Sequence, residues 1–477
     1  MTETAYPGKE KANRMRDLRE ELDRLREKLR RVELRTSRQM DAPAEKPIAG
    51  EGPEEAQRCA ETPPWDCPSD ELSFERSLPE SAPRAFAAEV GLPLRRSRGA
   101  IEDCITGRVV QTPFGAHFEV DTHYDLDASH GRFALSDLPL LPGNLLNPLC
   151  PQHPATPAEE WVFLDTETNG LAGGAGTFAF LIGLGYITSD GFLVRQFFLR
   201  EPAEERSVLH RLTEELGRFS TIVSYNGKGY DLPLLETRYR LARTPVPFSE
   251  MPHLDLLHAC RRLWKLRFDS CKLTHLEERI LGHERVGDVP GFLIPSLYVN
   301  YLRFQEAGSL VPVFTHNALD ILSLACLTAV VGGVFADPSN IVLRHGAECI
   351  GLGRWLMQAG RPEDALPLFR QAINTNIPEE LLARTLWDIS GLERKSQRYA
   401  ASRDALEQIL GFPNQHHRRA LEALSILYER RLNNIPRSLY YARRLEQLQP
   451  DEKVGARLER LVKKLDKSRR GQFLEDQ

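Results

Sequence analysis

At 477 residues, and with roughly 150 residues per domain as a prior, the chain has room for about three domains, each able to bury a core. A net charge of -5 and a pI near 6.3 exclude a globally basic nucleic-acid binder, so any such binding must come from local basic patches or from metal. The eight cysteines are scattered with no C-x-x-C pair, which excludes paired-knuckle zinc sites and reads as reduced thiols, several in cores.

The polar N-terminus carries no apolar signal core, and no stretch is expected to approach the length of a membrane span, so a cytoplasmic protein with no membrane partner is expected. Met15, Leu18, Leu22, Leu25, Leu29 and Val32 alternate three and four apart among Arg and Glu residues, an a/d seam with charged flanks. A helix is expected within residues 1–40. It reads equally as a small coiled coil that dimerises the chain or docks a partner, and as a solvated charged helix. Residues 41–84 are rich in Pro, Glu and Ala with few branched apolar side chains, the composition of a disordered linker.

Over residues 85–157 the alternation in TGRVVQTPFGAHFEVDTHYD predicts two strands around Pro113, Phe114 and Gly115, a small β-rich lead-in. Its His117, His123, Asp125, Asp127 and His130 match no compact metal-ligand spacing and are expected as solvent-facing strand and loop residues. Residues 158–335 read as strand, strand, strand, helix, strand, helix, strand, then helices. WVFLD, FAFLIGLGYI and GFLVRQFFL predict an antiparallel meander. A helix near residues 204–219, the strand TIVSY, the helix YDLPLLETRYRLA and the strand HLDLL predict a parallel, helix-crossed remainder. The fold class expected is therefore α/β with a mixed RNase H-like sheet.

Beyond residue 340 the pattern is helical and repetitive. Leu352, Gly353, Ala365, Phe369 and Ala372 fall on the small and large positions of a tetratricopeptide repeat, and weaker copies follow around Tyr399, Ser402, Leu406 and Ile409 and around Ser438, Ala442 and Leu445. Each hairpin leaves an apolar face that only a neighbour can cover, so a helical solenoid over residues 340–470 is expected. Lys463, Lys464, Lys467, Arg469 and Arg470 near its end read as a solvated capping helix or a nucleic-acid patch.

Three short acidic signatures carry the chemistry: Asp165 and Glu167 in WVFLDTETNG, Asn226 and Asp231 in VSYNGKGYDL, and His316 and Asp320 in FTHNALDILSL. Asp165 and Glu167 are two apart on a strand end, so they project to one side and suit a shared pair of hard divalent ions. Two ions about 4 Å apart can serve the attacking water and the leaving oxygen of a phosphodiester. Asp231 sits at a helix start and Asp320 within a helix, both able to face the first strand. His316, one turn before Asp320, is placed to take a proton from the attacking water. Structural alternatives stand beside each piece: Asp231 as a helix cap, Asn226 as a turn former, and His316 with Asp320 as a polar stitch.

Together these motifs resemble DEDD-type 3'-5' exonucleases of the RNase H-like superfamily, in particular the YprB-like group, whose members often carry C-terminal tetratricopeptide repeats. DTETNGLAGGAGT, the N-x-x-x-Y-D run from Asn226 to Asp231, and HNALDILSLA resemble the three motifs. LEERILGHERVGDVPGFLIPSLYVNYL, with Asp288, Pro290, Gly291, Pro295 and Tyr298, resembles the insertion before the last one. The resemblance covers residues 158–335 and, loosely, the repeats. It implies a metal-dependent exonuclease that trims the 3' end of DNA or RNA with two Mg²⁺ or Mn²⁺ ions. Asp165, Glu167, Asp231 and Asp320 would be metal ligands and His316 the base, with a protein partner on the repeats. The H-x-x-x-D spacing departs from the group, where histidine stands one residue further from the acid and tyrosine takes this spacing.

Substrate contacts are expected from Thr166, Gly170, Asn226, Lys228, Tyr230 and Asn317. The GLAGGAG loop, with Gly170, Gly173, Gly174 and Gly176, would let backbone approach a terminal nucleotide or be a plain tight connection. Lys228, with Arg261, Arg262, Lys265 and Arg267, supplies local positive charge for phosphates or a solvated helix face. Asp255 in HLDLLHA is expected to support the site or cap a loop. Two other readings remain beside the enzyme: an RNase H-like nucleic-acid-binding module with weak or no turnover, and a scaffold acting through its repeats.

Overall fold

The computed structural model describes residues 99–141, 143, 156–170, 176–338, 343 and 345–475. The charged helix expected within residues 1–40 and the linker over 41–84 lie outside them. Nine strands are described: β1 (Arg108–Thr112), β2 (Gly115–Tyr124), β3 (Ser129–His130), β4 (Phe133–Ala134), β5 (Trp161–Thr168), β6 (Ala179–Thr188), β7 (Gly191–Phe198), β8 (Thr221–Ser224) and β9 (His253–Asp255). Seven of them form one sheet in the order β1-β2-β7-β6-β5-β8-β9, and β3 pairs with β4 alone.

β5, β6 and β7 form the antiparallel meander, and β8 and β9 add parallel to β5. The mixed sheet read from the sequence is present. β5 is the strand where the antiparallel and parallel halves meet, pairing Leu164 with Leu184 on one side and with Ser224 on the other. In open α/β sheets the carboxyl end of a strand at such a junction is where ligands bind.

Helices cover both faces, which is why the central strands are almost continuously apolar. On one face lie α1 (Glu205–Leu216), α2 (Asp231–Leu241) and, further along the chain, α5 (Ile294–Phe304). The other face is covered by α3 (Leu256–Trp264), by α4 (Leu273–Leu276) with the π-helical turn Glu277–Leu281 that follows it, and by α6 (Val311–Ala336). The helix spanning Ala307–Ala336 is long and apolar enough to cross a membrane, with mean hydropathy 2.1, which corrects the expectation that no stretch approaches that length. With 78% of its apolar window buried, it packs Ile321, Leu324 and Ala325 into the core over the sheet, and a core helix needs the same composition as a span.

The hairpin expected as a separate lead-in is β1 and β2, and it extends the main sheet by pairing β2 with β7. Without it β7 would present an unpaired edge. This placement buries His117, which meets Ser207 Oγ at 2.8 Å and Glu119 at 3.2 Å. His130 is buried as well. The two are therefore not solvent-facing, whereas His123, Asp125 and Asp127 are exposed.

Seven further helices follow: α7 (Gly346–Gln358), α8 (Pro362–Ile373), α9 (Glu379–Lys395), α10 (Tyr399–Ile409), α11 (His417–Arg430), α12 (Ile435–Leu448) and α13 (Glu452–Glu475). Each packs on the next in sequence. Small residues set the spacing: a Cβ on Gly353 would come 2.5 Å from the Phe369 ring. The hydroxyl of Ser402 donates to the carbonyl of Ser390, and that of Ser438 to the carbonyl of Ser425, so the same contact recurs in successive helix pairs.

These helices share one hydrophobic core with the α3/α6 face of the sheet. At the joint a Cβ on Gly351 would come 2.4 Å from the carbonyl of Arg262, and Glu348 accepts from Trp264 Nε1 at 3.1 Å and from Arg267 at 2.6 Å. Arg262 lies over the Trp355 ring at 5.7 Å. Arg262 and Arg267, expected as positive charge for phosphates or as part of a solvated helix face, thus help to seat the helical region. Lys464 is likewise engaged, by Glu429 at 2.7 Å.

Close approach of α6 to the sheet rests on two glycines of β6. A Cβ on Gly183 would fall 2.3 Å from Asn317 Oδ1, and one on Gly185 would fall 2.3 Å from Ile321 Cγ2. Gly185→Ala is expected to lower unfolding free energy by about 1–3 kcal/mol through overpacking. Urea denaturation measures this, and a variant as stable as the wild type would mean that α6 can shift without cost.

Candidate active site

β5 alternates strictly at first. Trp161 and Phe163 enter the core beneath α3 and α6, and Val162 and Leu164 enter the core of α1 and α2. The same period turns Asp165 and Glu167 toward α6 and Thr166 toward α2. The β5/β6 register then shifts between Glu167 and Thr168, which ends the regular ladder beside the acids. Asn317 Nδ2 donates to Asp165 Oδ2 at 2.7 Å, and Asn317 Oδ1 accepts from Gln196 Nε2 at 2.8 Å. Asn317 is 0% exposed, so it orients Asp165 and does not contact substrate. It follows His316 by one residue, about 100° around the helix, and faces the sheet.

The second motif lies on the turn between β8 and α2. Asn226 has φ 63, a left-handed conformation that asparagine tolerates. Its N–H donates to Asp255 Oδ1 at 2.8 Å, the Lys228 N–H donates to Asp255 Oδ2 at 3.2 Å, and the Leu257 N–H donates to Asp255 Oδ1 at 3.1 Å. The buried Asp255 therefore caps α3 and fixes the 226–228 turn. Asn226 shapes the turn through its backbone N–H. Asp231 opens α2 and accepts a hydrogen bond from the Thr166 hydroxyl. The Thr166 hydroxyl is thereby engaged by Asp231. Lys228 and Tyr230 are exposed beside Asp231, with Tyr230 at 50%. Gly170 accepts from the Thr168 hydroxyl at 3.0 Å and has open space where a Cβ would be; Gly173 and Gly174 lie outside the described residues.

His316 and Asp320 are one turn apart on α6, with His316 Nε2 3.4 Å from Asp320 Oδ2 and 3.9 Å from Glu167 Oε1. On its other side His316 Nδ1 meets Asp288 Oδ2 at 2.8 Å and Oδ1 at 2.9 Å. A carboxylate can only accept, so Nδ1 carries a proton toward Asp288, and Nε2 is the ring nitrogen turned to Asp320 and Glu167. Arg285 completes the arrangement: its guanidinium reaches Asp320 at 2.5 Å, Asp288 at 3.0 Å and Glu277 at 2.7 Å. Sequence reasoning missed Arg285 and Gln196, and knew Asp288 only through resemblance. Their signals were the dense charge of HERVGD between apolar flanks and a glutamine inside the apolar strand GFLVRQFF.

Burial most of all, then the charges of Asp320 and Asp231, hold Asp165 well above the usual carboxylate range. Glu167 is raised likewise by burial and then by Asp165, Asp320, Asp231 and Asp288. Burial pushes Asp231 up to about 6 against the opposing Thr166 hydrogen bond. Burial alone would lower His316, but the Asp320 and Asp288 carboxylates outweigh it and raise the imidazole. The donors are hard oxygens that repel one another, and Arg285 bonds directly to Asp320 alone among the four acids. Such a set fits a divalent cation held by Asp165, Glu167, Asp231 and Asp320. Glu167, Asp320 and His316 bring three ligand atoms within 4.8 Å of one another.

Carboxyl groups with raised folded-state pKa keep protons that the unfolded chain releases, so the metal-free fold loses stability as pH rises from the ordinary carboxylate range through about 6. A bound cation offsets that loss. Mg²⁺ or Mn²⁺ at about 100 times its dissociation constant should add ~2.7 kcal/mol at about pH 8 and markedly less at about pH 5. Thermal melts with and without metal at both values check this, and a shift independent of pH would count against the carboxylate cage. Arg285→Met leaves Glu277, Asp288 and Asp320 without their shared guanidinium and should cost about 3–5 kcal/mol by chemical denaturation.

A profile of the RNase H superfamily, RNase_H_2, matches residues 162–331, the span that carries the four acids and His316. The uncharacterized protein YprB of Bacillus subtilis (strain 168) is 34% identical over 259 residues, which make up 54% of this chain and 62% of that protein. The family B DNA polymerase of the hyperthermophilic archaeon Pyrobaculum calidifontis is 16% identical, with a TM-score of 0.28 over 42% of this chain and 29% of that chain, a likeness too slight to bear on the chemistry. Residues 162–331 thus match the RNase H superfamily, and the chain, which spans less than two thirds of the length of YprB, is similar to that protein over the part it spans.

Proposed function

We propose that the chain is a metal-dependent 3'-5' exonuclease that hydrolyses the terminal phosphodiester of DNA or RNA. The observation that carries this reading is that Asp165, Glu167, Asp231 and Asp320 lie close enough to repel one another at the carboxyl end of β5, with His316 beside Glu167 and Asp320, so that burial and mutual repulsion create a demand for cations. Two Mg²⁺ or Mn²⁺ ions would supply charge neutralisation at the attacked phosphate. Asp165, Glu167, Asp231 and Asp320 hold them, and Asn317 keeps Asp165 aimed through its 2.7 Å hydrogen bond. His316 accepts the proton of the attacking water at Nε2, with Asp288 fixing the opposite edge of the ring. Tyr230, exposed beside Asp231, offers a face on which a terminal base stacks, and Lys228 offers charge to the phosphates.

The helical region extends this reading. Its successive helix pairs, with small residues at the recurring contacts, suit a tetratricopeptide-like array that presents a surface to a protein partner.

A panel of end-labelled DNA and RNA oligonucleotides with Mg²⁺, Mn²⁺ or chelator tests the activity. Wild type should shorten them from the 3' end only with metal, Asp165→Ala should fall to background, and His316→Ala should lose about 10²–10⁴-fold in turnover. The contact of Arg285 with Asp320 favours one other reading, a nucleic-acid-binding module without turnover. Wild type that binds oligonucleotides but leaves them intact with either metal would establish that reading and sink the exonuclease.

A further inference from the structure

Away from the four acids, three side chains from two segments meet beneath α6. His130 ends β3, Glu277 opens the π-helical turn, and His283 follows that turn. Each offers one ligand atom, and the three atoms lie within 4.8 Å of one another. Glu277 Oε1 is 3.4 Å from His130 Nε2 and 3.7 Å from His283 Nε2. Both separations are long for a charge-assisted hydrogen bond of about 2.7–2.9 Å. Two ligands about 2.0–2.1 Å from one tetrahedral ion, however, lie roughly 3.3 Å apart.

A second, independent observation points the same way. Glu277 is 1% exposed, and its Oε1 is buried without a hydrogen-bond partner, a costly state for a carboxylate oxygen. Its other oxygen is accounted for by Arg285 at 2.7 Å. The two imidazoles stack at 4.1 Å, and the Nε2 atom of each lies nearest the orphaned oxygen.

We propose that His130, Glu277 and His283 bind one Zn²⁺ ion, at a site distinct from the carboxylate cage. Two imidazole nitrogens and one carboxylate oxygen are a borderline donor set that selects zinc over magnesium or manganese. His130 Nε2 faces the Ser323 hydroxyl at 2.7 Å, and binding exchanges that hydrogen bond for a bond to the ion. The ion ties together segments already in close register. The Arg132 N–H donates to the carbonyl of Leu281 at 2.7 Å, and Gly131, at φ 68, approaches so near that a Cβ would fall 2.2 Å from the same oxygen. Through Glu277 the site also holds Arg285, and through Arg285 it reaches Asp320 and Asp288. Zinc therefore acts as a clip that sets where the Arg285 guanidinium rests.

Titration of the full-length metal-free protein with Zn²⁺ against a chromophoric chelator, in excess Mg²⁺ and in the Asp165→Asn, His316→Ala background, isolates this site from the carboxylate cage and its histidine. One equivalent of zinc should bind tightly, and His283→Gln should weaken it by more than about 100-fold, beyond the range of outer-shell changes. His283 is partly exposed, so far-UV circular dichroism should show a folded variant. X-ray absorption of zinc on the protein with intact His283 gives a second readout that needs no variant, and should show two imidazoles with oxygen ligands. No tight equivalent, unchanged affinity in a folded His283→Gln protein, or a zinc shell without two imidazoles would overturn the site. None of these results depends on whether the protein cleaves nucleic acid.

Discussion

Asp165 and Glu167 are held beside Asp231 and Asp320 where water is scarce, so full ionisation of the group is opposed by burial and by each neighbour's charge. Much of the surrounding structure answers that opposition. Arg285 gives its guanidinium to Asp320, Asp288 and Glu277 together, Asn317 donates to Asp165, and the Thr166 hydroxyl donates to Asp231. What these donors leave uncompensated is the affinity available to a divalent cation. Asp288 also draws the Nδ1 proton of His316, which leaves Nε2 aimed at Glu167 and Asp320.

The framework needed to bring these groups together is a matter of close approach. β6 carries glycine where α6 crosses it, and side chains at Gly183 or Gly185 would strike Asn317 or Ile321. The buried chain from Gln196 through Asn317 to Asp165 runs through that gap. It is satisfied at each step, as a buried polar network must be to stabilise. The helical region is joined by the same device, with the backbone of α3 lying against Gly351. Its core is continuous with that of the sheet, so the helices are built onto the domain and not strung from it.

Much of this was legible in the chain. Alternation and apolar runs marked β5 to β9, and the helix boundaries of α1 and α2 fell within a few residues of their expected positions. The period of two correctly put Asp165 and Glu167 on one face. Periodicity could not tell which neighbours that face would meet. Asn317 reads as a polar residue next to a histidine, and only the packing of α6 on β6 turns it inward. Thr166 and Asn226 likewise carry polar groups that tertiary partners, Asp231 and Asp255, take up. His117 and His130 were read as solvent-facing because their strands looked like a lead-in, and pairing with β7 and packing beneath α6 buried them.

By itself the sequence determined the quantities that depend on local spacing: strand and helix identity, the order of the acidic signatures, and the i, i+4 relation of His316 to Asp320 on one helical turn. The tertiary structure decided everything that depends on distance between segments far apart in the chain. It set Arg285 against Asp320, Asp288 against His316, and Glu277 between two histidines more than a hundred residues apart in sequence. Charge and hydrogen-bond partners act through space over a few ångströms, and no periodicity along the chain encodes which residues that space will hold.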